Sequence, residues 1–561
     1  MAVGRRAAKS IAGLGLATAI AVGTVTHAPP ADAVPFAAAA EPQLVLPTPL
    51  SSGDFNGDGR ADLAIGAPRE DSGDGAVAVV YSSSNGLRTN GNQQWTQASP
   101  GISGVREQDG FGWATATGDF DADGYDDLAI GAPLESFVIN HAGVILFGRS
   151  PLLDVRIEAG AVNVLYGSRD GLTARREQVW HQGRRGIKGR PQDGDFFGAA
   201  LAAADFDGDG RDDLAIGAPG ENRGAGAVHV LRGAQGGLSR IGDQLWLQSS
   251  SGVDDASERG DGFGAVLAAG NLGYSTGEAD LAVGIPGEDV GAIEDAGAVA
   301  VLYGQPGKGL TATIVPDRFL HQNVGGLEDV AERRDHFGAA LAIGDFGRTA
   351  QADLAVGAPG ESTAAARQGA VQVVYGGPDG VDLTDDQLWS AGAGGLEGEP
   401  QAAAEFGRAL AAGDLNGSTY ADLAIGVPYA RGGGFAGAGA VHVVNGSPAG
   451  LTTTGSVAVP PQLWTRAELP VTFPGTPPGT DLFGYALATG RFGAGSSAAL
   501  AASAPNASGR TASGASCCPG SGLVHVVTRG GGTTLGTAGG QIWSQFNLLD
   551  DTESGDRFGG G

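Results

Sequence analysis

Cysteine is almost absent from this chain. Cys517 and Cys518 are the only two, and they are adjacent, so no disulfide framework holds the fold. A bridge between neighbours strains the peptide between them, which leaves two readings open: a vicinal disulfide or an unpaired loop pair. Basic residues are also scarce. Lys and Arg number 34, only three of them Lys, against 62 Asp and Glu, for a formal charge of −28. Nucleic-acid binding needs a concentrated basic face and is disfavoured; cations or basic partners are favoured. Long helices are not expected, because 100 Gly and 28 Pro interrupt every stretch that could form one. Aromatic residues are few as well: 20 Phe, 9 Tyr and 7 Trp. That composition suits many short strands built from small apolar side chains.

A long apolar run occurs at one place. Arg5, Arg6 and Lys9 precede an apolar stretch from Ile11 to about Val25, and Ala31-Asp32-Ala33 reads as a cleavage site. Residues 1–33 are therefore expected to be a signal peptide, since the run is short for a membrane anchor. No later segment has the makings of a span, so the mature chain is expected outside the cell. Residues 34–49, rich in Ala and Pro, read as a flexible lead-in.

What the chain does have is repetition. The stretch Asp205–Pro219, DFDGDGRDDLAIGAP, recurs in seven versions that begin at Asp54, Asp119, Asp205, Asn271, Asp345, Asp414 and Arg491. Self-similarity at a near-fixed period signals a repeat architecture. Each unit has four parts: an FG strand, the acidic loop with its DLAIGAP strand, a GAV strand with alternating β-branched residues, and a strand around Gln-x-Trp. Arg318-Phe319-Leu320 replaces that last motif in the fourth unit. Four strands in each of seven units is the count of an all-β, seven-bladed β-propeller over residues 50–561, whose blades must stack to bury both faces. The first acidic loop has no FG before it, and Phe558-Gly559 has no acidic loop after it. The two terminal segments, 558–561 and 50–53, are therefore expected to complete one blade together and close the ring, removing two sheet edges. An insertion at about 134–158 reads as an added hairpin.

The acidic loops read as metal sites. In the third, Asp205, Asp207, Asp209 and Asp213 fall at positions 1, 3, 5 and 9 of a tight turn, with the Arg211 carbonyl at position 7. The second loop presents Asp119, Asp121, Asp123, Tyr125 and Asp127 in the same places, and the first presents Asp54, Asn56, Asp58, Arg60 and Asp62. Hard oxygen ligands in that number suit Ca²⁺. The loop of Asp414, Asn416, Ser418 and Asp422 is weaker, so about three sites are expected, with this loop as a candidate fourth. In the fourth and fifth loops the remaining Asp280 and Asp353 read as turn-formers. An EF-hand is excluded, because its position-12 Glu is replaced by Ile65, Ile130 or Ile216 in a strand.

FG followed by GAP, with D-x-D-x-D-G-x-x-D between, resembles the FG-GAP repeat of integrin α-subunit N-terminal propellers and their secreted bacterial relatives. The resemblance implies a seven-bladed propeller with mainly structural calcium in the loops between the first two strands, on the face opposite the ligand-binding one. Integrin calcium loops cluster in later blades; here the intact ones come early. No stalk, transmembrane span or cytoplasmic tail is read after the repeats, so a receptor role does not transfer whole. The expected function is a secreted, calcium-binding adhesion or ligand-binding module, monomeric, with a protein or glycan ligand. The alternative is an extracellular hydrolase acting on phospholipid or glycan, because phospholipases specific for glycosylphosphatidylinositol carry similar repeats beside a separate catalytic domain. No nucleophile elbow or zinc-type His cluster is apparent, and no catalytic residue is assigned.

Overall fold

The computed structural model describes residues 49–560, apart from 105–107, 140–144, 148–155, 185, 275–276, 433–435, 454–461, 466–468, 470–479, 494, 496, 509–519, 530–534, 545–547 and 549–557. All of these lie in the larger of two compact units, Leu44–Gly561. The expected signal peptide, the lead-in up to residue 48 and the Cys517–Cys518 pair fall outside the described residues.

Seven four-stranded antiparallel blades span residues 50–95, 115–180, 200–246, 266–320, 340–389, 409–465 and 487–543. Blade 3 shows the plan. Its inner strand Ala200–Ala204 pairs with Asp213–Ala218, then come Ala227–Arg232 and the outer strand Ser239–Trp246. In register, Ala202 faces Ala215, Ala215 faces Val230, and Val230 faces Gln244. Blade 4 keeps its outer strand although the motif is lost, with Arg318–Leu320 pairing at Val299–Val301. The insertion in blade 2 forms a three-stranded sheet from Ser136–Ile139, Ile145–Phe147 and Arg156–Glu158.

Every residue of each second strand is buried. This explains the continuous DLAIGA-type runs: such a strand is covered on both faces by neighbouring blades. Small residues set how close the blades can come. A Cβ on Gly131 would lie 2.1 Å from the Gly198 carbonyl oxygen of the next blade, a distance no side chain tolerates. Hydrophobic clusters fill the seams between adjacent blades. One joins Phe55, Val79 and Phe111 of the first seam, and another joins Phe346, Val373 and Phe406 of the fifth.

The ring closes as the terminal segments require. The seven inner strands follow one another in space, and Leu50–Gly53 touches both Thr115–Gly118 and Leu487–Gly490. Gly559 N–H donates to the Gly66 carbonyl at 2.9 Å, as Gly198 N–H does to Gly217 in blade 3. Phe558, 1% exposed, packs in one cluster with Leu63 and Val80 of blade 1 and Val526 and Trp543 of blade 7.

Candidate metal centre

The acidic loops join the inner strand of a blade to its second strand, so all seven emerge on one face of the ring. An apolar side chain at position 2 anchors each loop: Phe55, Phe120, Phe206, Leu272, Phe346, Leu415 and Phe492 are all buried. Position 1 then ties the turn from within. Asp205 accepts the N–H groups of Gly208, Asp209 and Gly210; Asp54, Asp119 and Asp414 accept equivalent bonds in their own loops.

Position 9 does something different. Asp62, Asp127, Asp213, Asp280, Asp353 and Asp422 are all buried, and one oxygen of each accepts the N–H that ends the third strand, from Ser82, Gly167, Gly233, Gly304, Gly376 and Gly446 at 2.8–3.0 Å. The other oxygen takes the position-2 N–H in several loops, for example Phe346 on Asp353 at 2.7 Å. Asp280 and Asp353 are latches of this kind in loops that lack the acids at positions 3 and 5. Burial pushes Asp127 up to about 8 and Asp62 and Asp213 up to about 7, with nearby carboxylates adding to the rise.

The second and third loops bring positions 1, 3 and 9 together. Asp119, Asp121 and Asp127 place carboxylate oxygens within 4.8 Å of one another, and so do Asp205, Asp207 and Asp213. Asp121 Oδ1, Asp207 Oδ1 and Asp213 Oδ2 are buried and, among the described residues, accept no hydrogen bond. Buried anionic oxygens without donors are costly unless something positive meets them, so these two loops fit a hard, oxygen-preferring cation. An arginine already stands beside each: Arg176 lies 2.8 Å from Asp121 Oδ2, and Arg232 pairs with Asp207.

Position 5 stands apart from those groups. Asp123 and Asp209 instead accept the N–H of Tyr125 and Arg211, the position-7 residues, at 3.1 and 2.9 Å; Asp58 does the same for Arg60 at 3.0 Å. In the first loop Asn56 turns its amide donor to Asp62 at 3.0 Å. In the 414–422 loop Asn416 donates to Asp422 at 2.7 Å, and Ser418 Oγ accepts the Tyr420 N–H at 3.3 Å. The two wirings follow position 3: Asn56 and Asn416 carry an amide donor that reaches the position-9 acid, which Asp121 and Asp207 lack when ionised.

Two sets of contacts across the seams escaped the sequence reading. Each position-8 N–H donates to the position-1 carbonyl of the preceding blade at 2.7–3.2 Å, from Asp126 to Asp54 around the ring to Ala61 on Arg491. The Gln of the outer strand bonds a backbone carbonyl of the next blade, as Gln178 does with Leu238 and, across the closure, Gln541 with Leu87 at 2.6 Å. In blade 1 the donor is Gln93, bonding Leu172, rather than the neighbouring Gln94.

A third set lies on the opposite face. A Glu four residues after the second-strand Gly, an Asp two before the FG Phe, and a Gln two after the outer Trp (or Leu320) meet at four successive seams. Gln248 donates to Glu288 at 2.6 Å beside Asp261, and Gln322 to Glu361 at 2.7 Å beside Asp335; Gln97 with Glu135 and Gln182 with Glu221 repeat the pattern. The signal was present as a fixed offset from each motif.

Comparison with known proteins agrees with this architecture. The family model for the FG-GAP repeat matches residues 50–80, 111–146, 197–231 and 406–444. Integrin alpha-PS2 of Drosophila melanogaster is 32% identical over 190 residues, 33% of this chain and 11% of that protein. Integrin alpha-5 of Xenopus laevis is 31% identical over 242 residues, 42% and 20% of the two chains. Phosphatidylinositol-glycan-specific phospholipase D of Rattus norvegicus is 34% identical over 131 residues, 23% and 14%. The match spans a fifth or less of the length of each of these relatives.

Proposed function

The chain is an integrin-alpha-like FG-GAP propeller, and from that premise we propose that it works outside the cell as an adhesion or ligand-binding module whose acidic loops hold Ca²⁺. The observation that carries the metal reading is the convergence of Asp119, Asp121 and Asp127, and of Asp205, Asp207 and Asp213, with buried oxygens that accept no hydrogen bond among the described residues. The loop of Asp54, Asn56, Asp58, Arg60 and Asp62 is the third proposed site and needs only a turn of the Asn56 amide to offer its oxygen. The 414–422 loop is the weakest of the four. Calcium here is structural: it neutralises a face rich in carboxylates and fixes the turns that feed the second strands. Ligand binding is assigned to the other face, where connections between blades and between second and third strands gather and are free to vary.

The reading extends to the first 33 residues as an export signal. It is tested by metal analysis of the purified protein, followed by binding to arrays of glycans and extracellular proteins in calcium and in EGTA. Two to three calcium ions per chain are expected, with array binding that persists in EGTA below the melting temperature because the metal sits on the other face. Reproducible turnover of phosphodiester or glycan substrates would instead move the protein to the hydrolases.

A further inference from the structure

The seam between blades 5 and 6 breaks the Gln–Glu–Asp pattern. Ala391 stands in the place of the Gln, Ala430 in that of the Glu, and Ala404 in that of the Asp. All three line one pocket with a volume of about 50 Å³, on the face opposite the acidic loops. A single water needs roughly 10–15 Å³ by the same measure, so the space holds a few waters or an organic group of about two to four carbons.

His442 also lines this pocket. It is 4% exposed and packs edge-on to Phe406 at 5.3 Å. At the same strand position in other blades, a polar side chain meets an acid from the outer strand: Asn163 donates to Glu177 at 2.7 Å, and Gln372 to Asp386. In blade 6 the corresponding residue is Pro461, and His442 makes no hydrogen bond among the described residues. Burial holds the ring neutral, pushed down to about 4, so it offers one N–H donor and one lone pair. At the mouth stand one cation, Arg431, and one anion, Glu399; Val427 and Leu463 supply apolar wall.

We propose that this pocket is a binding site for a carboxyl group on a short aliphatic stem, either a free small acid or the end of a glutamate side chain from a partner. The four complete seams show what the space is shaped for: a Glu carboxyl, with its methylenes packed between blades. Here the chain has withdrawn its own carboxyl and left a donor ring in the pocket and a guanidinium at its mouth. The site needs no metal and stands whether or not the acidic loops hold calcium.

The test is a titration of the full chain with propionate, read on the histidine ring C–H resonances by NMR, with His442 identified from the His442→Gln variant. A saturable shift of the His442 signal, with a Kd on the order of a millimolar, is expected for so small a ligand. The second probe is N-acetyl-glutamate amide: binding tighter than propionate indicates a partner's side chain, and weaker binding a free acid. The Ala391→Gln/Ala430→Glu double variant rebuilds the missing clasp and is expected to weaken binding at least tenfold. Absence of a saturable shift with both probes in the unmodified chain overturns the proposal without reference to any variant. Unchanged affinity in a folded double variant overturns it too.

Discussion

Remove calcium, and the second and third acidic loops must carry their charge alone. Three carboxylate oxygens lie within 4.8 Å in each; at that separation and an effective dielectric near 20, an ionised pair repels by about 3.5 kcal/mol. Arg176 and Arg232 offset one carboxylate apiece, so the apo loops are expected to loosen rather than unfold. The stability lost is then the binding free energy itself. At free calcium a hundredfold above Kd this is about 2.7 kcal/mol per loop, or roughly 5 kcal/mol for the two. At about 2.1 cal/mol/K of unfolding entropy per residue, a chain of this size moves by about 1 °C per kcal/mol, so the melting temperature should fall by about 5 °C.

The assay is calorimetry in 1 mM calcium and in EGTA. Asp121→Ala with Asp207→Ala removes the two position-3 carboxylates while sparing the position-9 latches, and should abolish most of the difference. Asp353→Asn breaks a latch in a loop that has lost the acids at positions 3 and 5. It leaves an N–H facing an amide donor, at about 1–3 kcal/mol, and should lower the melting temperature equally in calcium and EGTA. Melting curves that coincide within about 2 °C, from a protein that retains no calcium, would refute the reasoning.

The ring closure is tested by Phe558→Ala, expected to cost about 3–5 kcal/mol in chemical denaturation because a fully packed ring is lost from the seam between blades 7 and 1. Gln541→Ala removes two bonds to Leu87 and should cost about 1–3 kcal/mol; no effect from either variant would mean that the closure carries no load. Gly131→Ala should prevent folding or destabilise severely, whereas Gly59→Ala, with nothing within 4 Å of its Cβ and φ +81°, should cost only about 1 kcal/mol. Equal expression and melting of the two would contradict the close approach of the blades. Burial lifts Glu288 to about 8 and Asp261 to about 6. A carboxyl with a higher pKa folded than unfolded favours folding while protonated; that contribution is whole below about pH 4 and fades as pH rises through 6 to 8. The EGTA-treated protein should therefore melt higher at pH 5 than at pH 8, and Glu288→Gln should narrow the gap. A profile that rises with pH would reverse the argument.

Much of the fold was legible because its signals are local. An acid at position 1, glycines in the bend and an apolar run after position 9 lie within one turn and one strand, and each unit repeats them. The missing FG before Asp54 and the spare FG at Phe558 announced the closure, which the Gly559–Gly66 bond then satisfies. The same locality set the limit. Loops with nearly the same spacing are wired differently: Asp121 and Asp207 keep buried oxygens that accept no hydrogen bond among the described residues, while Asn56 and Asn416 turn donors to the position-9 acid.

Residue order was thus enough to reveal the number of blades, the strands within each, the pairing of the two terminal segments and the residues able to offer oxygen to a cation. It took the assembled ring to show which carboxylates converge, that the position-9 Asp is a latch even where no metal set remains, and that Gln, Glu and Asp from neighbouring blades form a clasp that the seam between blades 5 and 6 lacks. The physical reason is separation along the chain. Residues within one loop meet whatever the rest of the protein does, but Gln322 and Glu361, or Ala391 and Ala430, meet only when the ring sets one blade against the next.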